Sequence, residues 1–289
     1  MPVRDVMLAL LVVAIWGFNF TVIKLSVEAF PPLFAAALRF FIAAVPLVFF
    51  IRPPEVRWQL VMGYGLAFGV ALYGFLNLSM AFGMPAGLSS LVLQTQAFFT
   101  MALAFFLLGE RPSRFQLLGA AVAFGGIAVI AGERFDGAAI WPFLLTLSAA
   151  LAWGLANILT KKAGKFDPVA FTVWGVLVVP VPLWALSLLM GEGDAIVVAV
   201  QHFSWRDGLM FAYLAYPATL LGGVIWSGLL ARHPAMIVAP FTLLVPIVGL
   251  FSGFVVLGET ISALEMAGGA LVVAGLVLTL WRTRIRRTA

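Results

Sequence analysis

The chain is 289 residues long, 63% hydrophobic and only 10% charged, with a net charge of +5 and no cysteine. A water-soluble domain carries about 25% charged residues, so this chain lacks the polar surface to coat a soluble globule and is an integral membrane protein by composition. Disulfides, thiolate nucleophiles and cysteine-based metal sites are excluded, and the only histidines, His202 and His233, are scattered.

In chain order, ten segments offer the ~20 mostly apolar residues that a spanning helix needs. They are roughly 6–27, 31–51, 58–82, 85–108, 113–132, 138–161, 167–190, 207–231, 234–257 and 262–281. The first begins after Arg4 and imitates a signal peptide. Its apolar run continues through Trp16-Gly-Phe-Asn19 to Lys24 without a short block and cleavage motif, so it is expected to stay as a helix. Pro31-Pro32, Pro53-Pro54, Pro85, Pro112, Pro168 and Pro234 punctuate the segments where helices start or stop. The connections are short except for 191–206.

Orientation follows from Lys and Arg. With the N-terminus in the cytoplasm, thirteen of the 17 basic residues fall on the inner side and two, Arg134 and Arg206, on the outer; Lys24 and Arg39 lie within spans. Both termini are therefore expected in the cytoplasm. The same distribution explains the basic balance without nucleic acid.

Leu108-Gly-Glu110 recurs as Leu257-Gly-Glu259, 149 residues later. At that spacing Pro85-Ala86 meets Pro234-Ala235, Phe105 meets Phe254, Ser113 meets Ser262, Gly119 meets Gly268, and Gly126 meets Gly275. At a slightly smaller spacing Trp16-Gly17 meets Trp153-Gly154, and Lys24 meets Lys161. The chain is thus two homologous halves, 1–134 and 135–289, of five helices each. Five is odd, so the second half enters the membrane upside down, a construction typical of secondary transporters. The expected fold is all-α, with ten transmembrane helices in two inverted five-helix repeats. Locally, Gly109 and Gly258 mark left-handed helix stops. Ser113 with Gln116, and Ser262 with Glu265, form capping boxes. Glu110 and Glu259 are either solvated at the membrane boundary or members of a gating salt bridge.

Two halves ending P-A…F-x-x-L-G-E…S…G, with Trp-Gly in the first and sixth spans and Arg39 in the second, resemble the EamA family of the drug/metabolite transporter superfamily. Within it, the chain is most similar to the YddG-type amino-acid exporters of bacterial inner membranes. The resemblance covers nearly the whole chain. It implies a central cavity lined mainly by spans 1, 3, 4, 6, 8 and 9, with spans 5 and 10 outside it.

The polar roster points to almost the same helices, because intramembrane amides turn away from lipid. Asn19 lies in span 1, Tyr73 and Asn77 in span 3, Gln94, Thr95 and Gln96 in span 4, Asn157 in span 6 and Tyr213, Tyr216 and Thr219 in span 8. Each amide is either cavity lining or interhelical glue. Trp16 and Trp153 occupy matching places well inside their spans, away from the interfaces that tryptophan favours. The expected solute site is Trp16, Asn19, Tyr73, Asn77, Gln94, Gln96, Trp153, Asn157 and Tyr213. Span 9 has Leu243-Leu244-Val245 where span 4 has Gln94-Thr95-Gln96, but it carries Pro240 and Pro246, which free backbone carbonyls. Pro217, and Pro180 with Pro182, permit bends in spans 8 and 7. Arg39 is expected to snorkel to the outer face beside Glu28, with a gate or a substrate-carboxylate contact as the other reading.

No Asp or Glu lies mid-span. A cavity of amides and aromatic faces suits a neutral or zwitterionic solute with an apolar side chain, and no cofactor or metal is expected. The leading reading is export of amino acids or related metabolites by alternating access. A nucleotide-sugar or sugar-phosphate exchanger would need more intramembrane cations than Lys24 and Arg39, a multidrug exporter would want a membrane carboxylate, and an enzyme would need clustered acids, bases or metal ligands. Gly65-x-x-x-Gly69 and Gly249-x-x-x-Gly253 allow close helix contacts within or between chains, which leaves the oligomeric state open.

Overall fold

Backbone polar groups in hydrocarbon must be satisfied within the chain, and runs this apolar achieve that as helices. A computed structural model describes residues 1–135, 140–233 and 239–281, and every regular element in them is helical. The elements are α1 (Val3–Ala29), α2 (Pro32–Val48), α3 (Trp58–Ala81), α4 (Ala86–Leu108), α5 (Arg114–Phe135), α6 (Ile140–Ala163), α7 (Pro168–Leu189), α8 (Gly193–Gln201), α9 (205–232), α10 (239–257) and α11 (Ala263–Trp281). Seven are long and apolar enough to cross a membrane, and three shorter apolar helices, α2, α10 and α11, complete the set of ten. Expected spans 1–7 are α1–α7, and spans 8–10 are α9–α11. The start of span 9 at 234–238 and the tail beyond 281 lie outside the described residues.

The starts and stops follow the sequence signals. Asp167 accepts from the Val169 N–H at 2.9 Å to open α7. Both expected capping boxes form: Gln116 and Glu265 accept from the backbone N–H groups of Ser113 and Ser262, whose hydroxyls accept in return. Gly109 and Gly258 close α4 and α10 with φ of 70° and 66°, a conformation costly for residues with a Cβ. α7 is interrupted at 177–179, just before Pro180.

The one long connection, 191–206, contains α8. Its nine residues are too few to register as a span, and Val197, Val198 and Val200 are exposed while Ile196 is buried. An apolar helix of that length belongs at a membrane face rather than across it.

α5 and α11 form the largest helix pair and show how the halves are related. A Cβ on Gly126 would lie 2.4 Å from the Gly268 carbonyl oxygen, and one on Gly275 would lie 2.4 Å from that of Gly119. The 149-residue repeat spacing pairs Gly119 with Gly268 and Gly126 with Gly275, so exchanging the repeats converts one contact into the other. The helices are antiparallel and cross at backbone contact, the arrangement of two inverted copies about a two-fold axis. The other glycine pairs also pack within the chain: Gly65 and Gly69 against Gly175 and Val179 of α7, Gly249 against Ser90 of α4, and Gly253 against Glu259.

Large apolar side chains such as Phe50, Phe106, Trp141, Val181 and Leu189 are exposed around the outside, where lipid would cover them. Inside, one apolar cluster joins α1, α2, α3, α4, α6, α8, α9 and α10. A second packs α4, α5, α6 and α11 together.

Candidate functional site

Irregular turns occupy matching places in the two repeats. α3 adopts π-helical geometry at Gly65–Tyr73, and α9 does so at Leu214–Leu221. Leu214 lies 149 residues after Gly65, the spacing that superposes the halves. α4 tightens into a 3-10 turn at Leu93–Thr95, and α10 has its own at Ala239–Leu244, where the repeat places the counterpart of Gln94. Pro217 accounts for the break in α9, since it cannot donate to the carbonyl one turn earlier. π turns recur at functional sites. At membrane depth, imperfectly paired backbone is tolerated only against a partner or a wet cavity.

Polar side chains gather at these turns. At the π segment of α9, Trp16 donates through Nε1 to the Ala218 carbonyl at 3.1 Å, with its ring 5.4 Å from Trp226. Tyr213 donates to the Ile15 carbonyl at 2.7 Å and sets its ring edge-on to Phe18. Arg39 donates through Nε to Thr219 Oγ1 at 3.0 Å and through Nη2 to the Tyr73 hydroxyl at 3.2 Å. Asn77, one turn beyond Tyr73, donates to the Pro32 carbonyl at 3.0 Å. Asn19 is buried on α1. Three buried polar atoms, on α1, α3 and α2 in turn, have no hydrogen-bond partner: Asn19 Oδ1, Asn77 Oδ1 and Arg39 Nη1.

A second group lies where α4 meets α6 and α10. Gln94 donates through Nε2 to the Thr242 carbonyl at 3.1 Å. Asn157 donates to Gln96 Oε1 at 2.9 Å and to Thr100 Oγ1 at 3.0 Å. The amide of α4 and the loosened backbone of α10 thus bond to each other in this state, and Gln96 with Asn157 bonds two helices. Trp16, Tyr73, Trp153 and Tyr213 all pack against the same apolar cluster. Among the described residues, no group of three or more His, Asp or Glu side chains is placed to hold a metal.

Two expectations need correction. Arg39 does not snorkel: it is 2% exposed, and Glu28 sits instead 3.8 Å from Lys24. Its stem points across the bundle to α3 and α9 because Tyr73 and Thr219 give it a polar landing there. The signal in the sequence was the lack of any acid within a turn, since Ala35, Ala36, Ile42 and Ala43 flank it. Glu259 is not simply solvated either. It accepts from the backbone N–H of Ala86 at 2.6 Å and of Gly87 at 3.0 Å, where the helix dipole favours an anion. Its repeat counterpart Glu110 pairs with Lys161. At the basic face, Asp5 joins α1 to the end of α9 through His233 at 2.5 Å and Arg232 at 3.5 Å.

The EamA-like transporter family model matches the chain twice, over residues 4–132 and 140–281. A Salmonella typhimurium protein named "Probable amino-acid metabolite efflux pump" is 44% identical over 99% of this chain and 98% of its own. An Escherichia coli K12 protein of the same name is 39% identical, covering 98% of this chain and 97% of its own. A solved crystal structure that is 17% identical shares the fold, with a TM-score of 0.64 across 98% of this chain and 97% of that one.

Proposed function

The chain belongs to the EamA-like transporter family, and on that premise we propose that it exports amino acids with aromatic or other apolar side chains, and related metabolites, across the bacterial inner membrane. Both termini are cytoplasmic in this reading, and the repeats span 1–134 and 135–289. The observation that carries it is the set of irregular turns at matching positions of inverted halves, ringed by aromatic and amide side chains. Discontinuous helices at the repeat interface are where secondary transporters hold their solutes. Trp16, Tyr73, Trp153 and Tyr213 would flank the solute's side chain. Asn19, Asn77, Gln94, Gln96 and Asn157 would serve its ammonium and carboxylate.

In this reading the lever for alternating access is Glu259 of the repeated motif. Ala86–Val92 of α4 packs on Val245–Leu257 of α10, and Glu259 straps these parts together at the face opposite the basic one. The other half of α4, Gln96–Leu108, packs mainly on α6. This arrangement is consistent with a state closed toward the periplasm, in which release of Glu259 from Ala86 and Gly87 accompanies opening. The test is counterflow: liposomes holding purified protein and unlabelled phenylalanine should accumulate labelled phenylalanine from outside. Absence of counterflow with every amino acid tried, against active exchange of another solute class, would sink the reading.

A further inference from the structure

We propose that Arg39 is the point at which the transport site recognises a carboxylate, so that transported solutes carry an acid group. The proposal rests on the exporter reading above and adds a specificity-determining residue to it.

The Arg39 guanidinium has an incomplete set of partners. The guanidinium is buried, and its two bonded nitrogens meet only neutral oxygens, those of Thr219 and Tyr73. Its Cζ lies 4.2 Å from the Tyr73 ring centroid and 5.5 Å from that of Phe40. Nη1 has no partner. Among the described residues no carboxylate pairs with it, whereas Asp5, Glu28 and Glu110 are each engaged with other cations. Burying an unpaired cation is strongly unfavourable, and an intramembrane charge is a functional site by default. Asn77 and Asn19 contribute unfilled acceptors, not anions.

The position of the group adds direction. Tyr73 ends the π segment of α3, and Thr219 lies within the π segment of α9, so Arg39 bridges the irregular turns of both repeats. Nη1, which has no partner, and Nη2 form the end of the planar guanidinium fork, the shape that donates two parallel hydrogen bonds to a carboxylate. Asn77 Oδ1, one turn from Tyr73 on α3 and oriented by the hydrogen bond that Nδ2 donates to the Pro32 carbonyl, is an unfilled acceptor that suits the solute's ammonium. The cluster therefore supplies complementary contacts to a zwitterion. The aromatic faces that shield the cation also keep water from competing for it.

The experiment compares phenylalanine with two probes that each lack one charge, phenethylamine and 3-phenylpropionate, by ligand-induced thermal stabilisation and by counterflow. Wild-type protein should bind phenylalanine about ten- to hundredfold more tightly than phenethylamine, the range expected for a hydrogen bond between charged groups. Arg39→Gln should bring phenylalanine down to the phenethylamine level and leave phenethylamine unchanged, while Arg39→Lys should recover part of the preference. Equal binding of phenylalanine and phenethylamine by the wild type overturns the proposal, even if Arg39→Gln fails to fold. A folded Arg39→Gln protein that keeps the preference overturns it as well. Either result leaves the exporter reading intact if wild-type counterflow persists; loss of wild-type counterflow for every amino acid overturns both.

Discussion

Glu259 and Ala86 meet across the two repeats, the carboxylate accepting the backbone N–H that opens α4 at 2.6 Å. A second bond, from Gly87 at 3.0 Å, makes the contact bidentate. Glu259→Ala strips two N–H groups of their acceptor and removes an anion from a helix N-terminus, which should lower stability by about 1–2 kcal/mol. Glu110→Ala breaks a half-exposed ion pair and should cost less than about 1 kcal/mol. Thermal unfolding in detergent measures both. Matching losses in the two variants would contradict the asymmetry seen here.

The α5–α11 contact predicts a sharp difference between neighbouring glycines. Gly268→Val drives a side chain into Ile130 and the Gly126 carbonyl, 2.6 and 2.7 Å from the new Cβ, and should destabilise by about 1–3 kcal/mol or more. Gly125 has nothing within 4 Å of an added Cβ. Gly125→Ala should therefore be neutral, or raise stability by up to ~1 kcal/mol through helix propensity. Melting temperatures of the two variants decide it.

The fold was readable because its signals are periodic and redundant. Apolar length, proline punctuation and a spacing shared by Leu108 and Leu257, Gly119 and Gly268, and Ser113 and Ser262 each point to the same architecture. α8 escaped because nine residues carry too little pattern to separate an interfacial helix from a loop. The candidate site was legible as a roster of polar positions but not as a set of bonds. Gln94 could be seen to be polar at depth, but not that Thr242 of a loosened helix would take its amide. Arg39 and Glu259 were misread for one reason: each finds partners more than 100 residues away, Thr219 and Ala86, and no local pattern encodes a contact of that range.

The basic asymmetry predicts the orientation. The chain has no cysteine, so single cysteines at Arg4 and Thr288 can be labelled without background. Both should react with a membrane-impermeant maleimide only from the cytoplasmic side, in everted but not in right-side-out vesicles. Labelling of either from the periplasm would reverse the assignment, and with it the side of the membrane on which Glu259 lies.

Asn19 and Gln94 separate the two uses of an intramembrane amide. Gln94 already spends its Nε2 on the Thr242 carbonyl, so Gln94→Leu loses a hydrogen bond worth about 1 kcal/mol as well as the polar contact proposed for solute. Asn19 Oδ1 is buried and bonds to nothing, so the structure holds an unmet acceptor there. Replacing that group by an apolar one of similar size removes a desolvated polar atom, and Asn19→Leu should leave stability unchanged or slightly raised. An amide kept at such a cost to stability is explained if solute completes it. Asn19→Leu should then cut phenylalanine counterflow by about tenfold, the loss of one hydrogen bond of roughly 1.4 kcal/mol, without a fall in melting temperature. Gln94→Leu should lower both. Wild-type counterflow in the Asn19→Leu protein would show that its empty acceptor plays no part in transport.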